Sequence, residues 1–282
     1  MNPPSPTGTM SERSPLAQRR AAGVLLVLGP LIFLVAEFIT AAAWTDPPYS
    51  YTYNFISNLG VHGPSTLFGQ YMYSPLAWLM NAGFFLFGLV IFAGMAALRG
   101  LPGWRRWLVL LPAAMLALGG VLLGLFPGSG EALQDGTGEF HSAGAFLGFI
   151  GANVTVILLG KMRRRIDLSA RAGRALIIVG TIGLISTALY LLLIVLSSED
   201  TTIGIIGLIE RGATHPFLIG ILCVGAHILR QADGAKDLAI QLPVSTAGAP
   251  SSTGGSTEGA RRSDLDVMRE GGQIHGSHAP VE

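Results

Sequence analysis

Six stretches of the chain run with almost no charge for about the length a helix needs to cross a membrane. They cover residues 21–44, 75–98, 107–126, 141–160, 175–196 and 213–229. A hydrocarbon layer of roughly 30 Å takes about 20 apolar residues in helical conformation, so the pattern predicts an all-α membrane protein, a bundle of six transmembrane helices. The last stretch is the shortest. Residues 201–208 (TTIGIIGL) are also apolar, so a continuous helix from 201, bent near Gly212 and Pro216, competes with an interfacial or re-entrant piece over 201–212. No repeat of 20–50 residues is visible, which excludes a solenoid. Small residues recur at Gly120-x-x-x-Gly124 and Gly144-x-x-x-Gly148, a spacing that lets helix backbones approach closely in lipid.

The polar positions between these stretches predict an orientation. Arg13, Arg19 and Arg20 precede the first span, and Arg99, Arg105 and Arg106 lie between the second and third. Lys161, Arg163, Arg164, Arg165, Arg171 and Arg174 lie between the fourth and fifth, and Arg230 and Lys236 follow the sixth. On the other side the only basic residue is Arg211, among Asp46, Glu131, Asp135, Glu139, Glu199, Asp200 and Glu210. The positive-inside rule then puts both termini in the cytoplasm. Residues 1–20, rich in Pro and Ser, and residues 231–282, rich in Ser, Thr, Gly and charge, read as disordered cytoplasmic flanks, because they cannot bury enough apolar surface to offset ordering entropy. The first span resembles a signal peptide, with Arg19-Arg20 before it and Ala41-Ala42-Ala43 at its end. Its length and Glu37 favour a retained helix.

Composition agrees with this picture. Of 282 residues 50% are hydrophobic and 12% charged, against about 25% charged in soluble domains, and the mean hydropathy is +0.53. A formal net charge of +1 supplies no general field for nucleic acid. The lone Cys223 excludes an internal disulfide and a thiolate metal site. With only two lysines among 18 basic residues, the coding bias suggests a bacterial gene, and hence a multi-pass protein of the bacterial plasma membrane.

Ionisable groups inside a span are costly and are site candidates by default. Glu37 sits about two turns from the outer end of the first span. It either reaches the interface or is a buried acid with an ion-pair partner, and Arg211 is the natural partner. His141 opens the fourth span, where the helix dipole favours neutral imidazole able to act as base or ligand. His215, beside Pro216, is expected at a similar depth. The sequence reading therefore predicts that Glu37, His141, Glu210 and Arg211 converge near the outer face. His227 reads as an interfacial histidine. In the first outer loop Tyr49, Tyr51, Tyr53 and Phe55 alternate, which suits an interfacial aromatic belt. Asn54, Ser57 and Asn58 could instead cap the bundle, and Asn81 in the second span suits a hydrogen bond to a neighbouring helix.

Several short runs resemble the DUF998 family of bacterial integral membrane proteins over roughly residues 20–230. They are Ile56-Ser57-Asn58-Leu59-Gly60, Met80-Asn81-Ala82-Gly83, Gly124-Leu125-Phe126-Pro127, His141-Ser142-Ala143-Gly144 and Gly207-Leu208-Ile209-Glu210-Arg211. The resemblance implies a six-helix membrane protein and no established reaction. The Ile56–Gly60 run also resembles the loop signature of the DRAM/Frag1 group, with Asn58 where an acidic residue is usual.

Three functions remain open. A structural or regulatory membrane protein is favoured, because intramembrane charge is sparse. A binder or enzyme acting on lipid or a small envelope metabolite would use His141, Glu37 and His215 as candidate catalytic groups. Arg211, Glu210, Asn58, Ser57 and Asn81 would then be ligand contacts. A small-solute transporter is the third, although inverted repeats are not apparent. No nucleophile elbow, HExxH or metal-ligand motif is present, so no cofactor or metal is implied. The expected partners are membrane lipids and a small envelope ligand, and the oligomeric state is left open.

Overall fold

The computed structural model describes residues 10–101, 103–197 and 204–241. Six long helices are apolar enough to cross a membrane. They are α1 (Met10–Ala43), α2 (Ala77–Ala97), α3 (Trp104–Leu125), α5 (Gly138–Lys161), α6 (Ala170–Leu196) and α7 (Ile206–Gln241), with a short α4 (Gly130–Asp135) before α5. Each long helix packs on its neighbours in sequence, and α7 returns to α1, so the six form a closed up-and-down ring. Short connections between antiparallel neighbours produce this order directly. The only strands among the described residues, β1 (Ser65–Leu67) and β2 (Gln70–Met72), form an antiparallel hairpin between α1 and α2.

Lipid offers no hydrophobic drive for helix association, so close backbone packing must carry it. Gly119 and Gly144 face each other where α3 meets α5: a Cβ on Gly119 would lie 2.6 Å from the Gly144 carbonyl oxygen. Outward faces are apolar instead. On α6, Ile178, Ile182, Ile185, Leu189, Leu192 and Leu196 are exposed at helical spacing, as a lipid-facing stripe requires.

The long helices outrun the apolar stretches at both chain ends. α7 begins at Ile206 rather than 213 and runs unbroken through Pro216 to Gln241, so residues 206–212 belong to the sixth helix. Ile206 and Gly207 of its first turn are buried, Gly207 against the connection between α1 and α2, while Leu208 is exposed. The Leu208 amide donates to the Thr52 carbonyl at 3.1 Å. At the opposite end, α1 already includes residues 10–20 and α7 includes 231–241. Both segments read as disordered from composition. Cross-helix polar contacts order them: Arg20 Nε lies 3.5 Å from Asp233 Oδ1, and Arg19 donates to Gln231. The remainder of both flanks, residues 1–9 and 242–282, and the acidic pair Glu199 and Asp200 lie outside the described residues.

Candidate functional site

Phe33, Ala36, Glu37, Thr40 and Ala41 are all buried, and their spacing is one face of α1 turned into the bundle. Glu37 is therefore carried inside with no exposed surface. α7 supplies its partners from residues 211 and 215, which share a face at i, i+4. Arg211 Nε lies 3.1 Å from Glu37 Oε1, and His215 Nε2–H donates to Oε2 at 2.9 Å. The carboxylate acceptor is what puts the proton on Nε2. The neighbouring Glu210 points to a different side of α7, where its carboxylate accepts the Ile56 amide at 2.5 Å.

The rest of the Arg211 guanidinium is engaged by the 45–76 connection. Nη1 donates to the carbonyls of Tyr51 (2.8 Å), Asn54 (3.2 Å) and Gly207 (3.0 Å). Nη2 donates to the Tyr49 hydroxyl at 2.5 Å, and that hydroxyl donates to the Phe55 carbonyl at 2.9 Å. The guanidinium carbon lies 4.8 Å from the centre of the Tyr51 ring and 5.5 Å from that of Tyr49, within reach of a cation–π attraction. Burial pushes the Tyr49 phenol well above its usual range, so it keeps its proton and serves as both acceptor and donor. Tyr49 and Tyr51 are thus clamps on a buried cation rather than a simple aromatic belt. At Gly207 a Cβ would run into the Asn54 carbonyl. Only glycine lets the loop backbone rest directly on α7.

A second polar layer knits the loop to itself. Gln70 is fully buried; its Nε2 donates to the Tyr53 carbonyl at 2.8 Å, and its Oε1 accepts from Asn58 Nδ2 at 2.6 Å. Asn81 donates from α2 to the Gly60 carbonyl at 2.9 Å. Ser65 Oγ donates to Glu131 Oε2 at 2.7 Å and accepts the Gly130 amide at 3.0 Å, tying the hairpin to α4. That hydrogen bond from Ser65 holds the Glu131 carboxyl below its ordinary value.

His141 stands apart from the Glu37 cluster. Its Nδ1–H donates to the Phe126 carbonyl at 2.7 Å, which leaves Nε2 as the acceptor in the neutral ring. The ring helps line a cavity of ≈ 130 Å³ whose walls include Phe55, Phe68, Phe146 and Tyr190, with Ser57 and Asn58 as polar groups. A smaller inner cavity of ≈ 30 Å³ touches both His141 and Glu210, enough for about one or two waters. The structure therefore joins Glu37, Arg211 and His215 directly, sets Glu210 beside them, and places His141 and Ser57 on the cavity. Asn58 also lines that cavity while donating to Gln70, and Asn81 faces the Gly60 carbonyl. His227 Nε2–H donates to the Asp167 carbonyl at the far end, 3.1 Å away.

Sequence reasoning missed Gln70, Tyr190 and Asn153. Asn153 is fully buried in α5 and donates to the Ala213 carbonyl of α7 at 2.9 Å; a lone amide in an apolar run was its signal. Gln70 opens the three-residue strand β2 in the connection between α1 and α2 and gave none. Among the described residues no three His, Cys, Asp or Glu side chains gather in a way that could hold a metal ion.

Searches against curated proteins and against solved structures return no match. A family model described as a protein of unknown function, DUF998, matches residues 27–227, a stretch that includes Glu37, the polar loop, His141 and the Glu210–His215 segment; the chain belongs to the DUF998 family.

Proposed function

We propose that this multi-pass membrane protein is a non-catalytic binding protein that takes part of an amphipathic, lipid-like molecule into the His141 cavity. The observation that carries the reading is the lining of that cavity. Aromatic and aliphatic walls surround one uncommitted imidazole acceptor and the small polar groups of Ser57 and Asn58. Such a lining suits an apolar body with a hydroxyl or amide donor. At ≈ 130 Å³ it is smaller than the roughly 300–1,000 Å³ of sites that enclose a whole small molecule, so the end of a larger ligand fits better than an entire one. Among the described residues no acidic or basic side chain other than His141 lines it. Glu37 and Arg211 are engaged by each other and by the loop, which favours a scaffold role for them over catalysis.

We place this end of the bundle outside a bacterial plasma membrane, with both termini inside. The support is the basic asymmetry of the connections. Cysteines introduced at Thr66 or Asp135, both exposed, in a Cys223→Ser background are expected to react with an impermeant thiol reagent in intact cells. Reaction only after permeabilisation would reverse the orientation.

The binding reading is tested by filling the cavity. Ala145 lines both cavities, and Ala145→Phe is expected to remove an amphipathic molecule that co-purifies with the unaltered chain, as read by mass spectrometry of the solvent extract. His141→Phe should weaken retention of the same molecule. Identical extracts from all three proteins would rule the binding role out.

A further inference from the structure

The geometry points to a phosphate-binding site for an anionic phospholipid head group at the opposite end of the bundle, where α3 meets the turn between α5 and α6. Five cations line one open concavity of ≈ 470 Å³: Arg105 from the first turns of α3, Lys161 at the end of α5, and Arg163, Arg164 and Arg165 in the following 3₁₀ turn. Among the described residues no acidic side chain contributes to its wall. Like charges gathered this closely repel one another and draw a counter-ion.

Several other charges at this end are already matched, while Arg171, Arg174 and Arg230, which have no ion-pair partner among the described residues, lie outside the concavity. Asp167, two residues beyond the triple arginine, is the only acid in the 162–169 connection. It is bonded to Arg19 at 3.0 Å, so its charge is already matched by α1. Arg20 pairs with Asp233, Arg99 donates to Gln18 at 2.5 Å, and Arg106 donates to the Ala96 carbonyl at 2.7 Å. The five cations of the concavity, by contrast, have no ion-pair or hydrogen-bonded side-chain partner among the described residues.

The turn is also built to hold its shape. The Leu168 amide closes on the Arg163 carbonyl at 2.8 Å, and the Arg165 amide on the Met162 carbonyl at 2.8 Å. Gly100, at φ +95°, lets the α2–α3 connection pass against the Arg165 carbonyl, which a Cβ would approach to 2.6 Å. The Arg163 stem rests on Gly173 of α6.

Depth separates a lipid from a free anion. Trp104 and Trp107 flank Arg105 on α3 and are 68% and 62% exposed. Exposed indoles at the end of a spanning helix mark the head-group level. Further along α3 the exposed side chains are Leu111 and Leu118, a surface against which acyl chains can lie. A phosphodiester at the indole level would accept hydrogen bonds from the forked guanidinium groups, and basic pockets between spanning helices suit such head groups.

The test uses the full chain in nanodiscs of mixed phosphatidylcholine and phosphatidylglycerol, with retained lipid counted by native mass spectrometry. The unaltered protein is expected to keep phosphatidylglycerol in preference to phosphatidylcholine. Arg105→Gln with Arg164→Gln is expected to lower that preference roughly thirtyfold, the equivalent of two surface cations at about 1 kcal/mol each. Arg171→Gln with Arg174→Gln removes the same charge from exposed positions outside the concavity and is expected to change it far less. Equal losses in both pairs would mean a diffuse surface potential and overturn the site. So would an unaltered protein with no preference. Competition by inorganic phosphate or glycerol phosphate at concentrations matching the lipid would overturn the lipid assignment in favour of a free anion. If the first pair lowers thermal stability in neutral lipid, the single Arg165→Gln variant carries the comparison, and no loss of preference there counts against the site.

Discussion

The two ends of the bundle handle charge in opposite ways. At the loop end Glu37, Glu210 and Arg211 are almost wholly buried, and each is held by specific partners from the 45–76 connection or from the facing helix. At the other end the ion pairs are exposed: Arg19 with Asp167, and Arg20 with Asp233. Its short 162–169 connection holds Arg163, Arg164 and Arg165, which with Lys161 and Arg105 have no ion-pair partner among the described residues. Removing charges from water is costly, so a buried set persists only when geometry and hydrogen bonds are complete. Exposed pairs contribute little, and unpaired cations keep a field that attracts anions. One end uses charge to fix a loop; the other leaves it open, as the proposed head-group site requires.

The comparison breaks most sharply at Arg211. Arg211→Ala would strip Glu37 of its cation and release the Tyr51 and Asn54 carbonyls. The expected destabilisation is about 3–5 kcal/mol, typical of breaking a buried pair. Adding Glu37→Gln should recover part of it, because the orphaned charge is then gone. At the other end Arg19→Ala should cost under about 1 kcal/mol, as exposed pairs do. Thermal unfolding of the three variants in one detergent tests this. Similar losses for Arg211→Ala and Arg19→Ala would erase the distinction between the ends.

Two substitutions sharpen the picture within the loop without touching the ion pair. Gln70→Leu would leave the Tyr53 carbonyl and the Asn58 amide without their buried partner, at about 1–3 kcal/mol for each group left unsatisfied. Gly207→Ala would push a methyl group against the Asn54 carbonyl. Backbone has to shift, and overpacking of this kind costs about 1–3 kcal/mol. Both variants should make residues 49–56 more sensitive to limited proteolysis while the six helices persist by circular dichroism. Unchanged cleavage would show that the loop is held by something other than these contacts.

The spanning helices were legible because lipid demands long apolar runs and permits few substitutes. Their ends were not, since a helix can continue into water once cross-helix contacts order it, as at Arg19, Arg20 and Asp233. Glu37 and Arg211 could be singled out because a lone acid inside one span and a lone cation beyond another have few other partners. His215 was singled out only by its depth; its contact with Glu37 comes from helical pitch, four residues beyond Arg211, and was not read. The clamp of Tyr49 and Tyr51 and the bracing of their loop by Gln70 depend on how an irregular connection folds over α7, and no periodicity encodes that. The placement of His141 was hidden for a related reason. A helix start fixes depth in the membrane but not angular position, and here the ring turns to Phe126 and the cavity rather than to Glu37.

The smallest expected effect lies where the loop end touches water. Glu131 is exposed, and the hydrogen bond from Ser65 holds its carboxyl below the ordinary 4.5. A carboxyl whose value is lowered by folding contributes stability that is complete above its unfolded value and is lost as pH falls through the folded one. The tether between the hairpin and α4 should therefore be intact at neutral pH and weaken below 4.5. Ser65→Ala removes the largest cause of the shift, so its melting temperature should fall less steeply than that of the unaltered protein in acid. Exposure keeps the difference slight, and Asp135, whose value is also lowered by its own Thr137 contacts, titrates alike in both proteins and cancels. Parallel melting curves from about pH 5 down to about pH 3 would detach Glu131 from the loop's stability and leave the buried cluster as the sole charged anchor at that end.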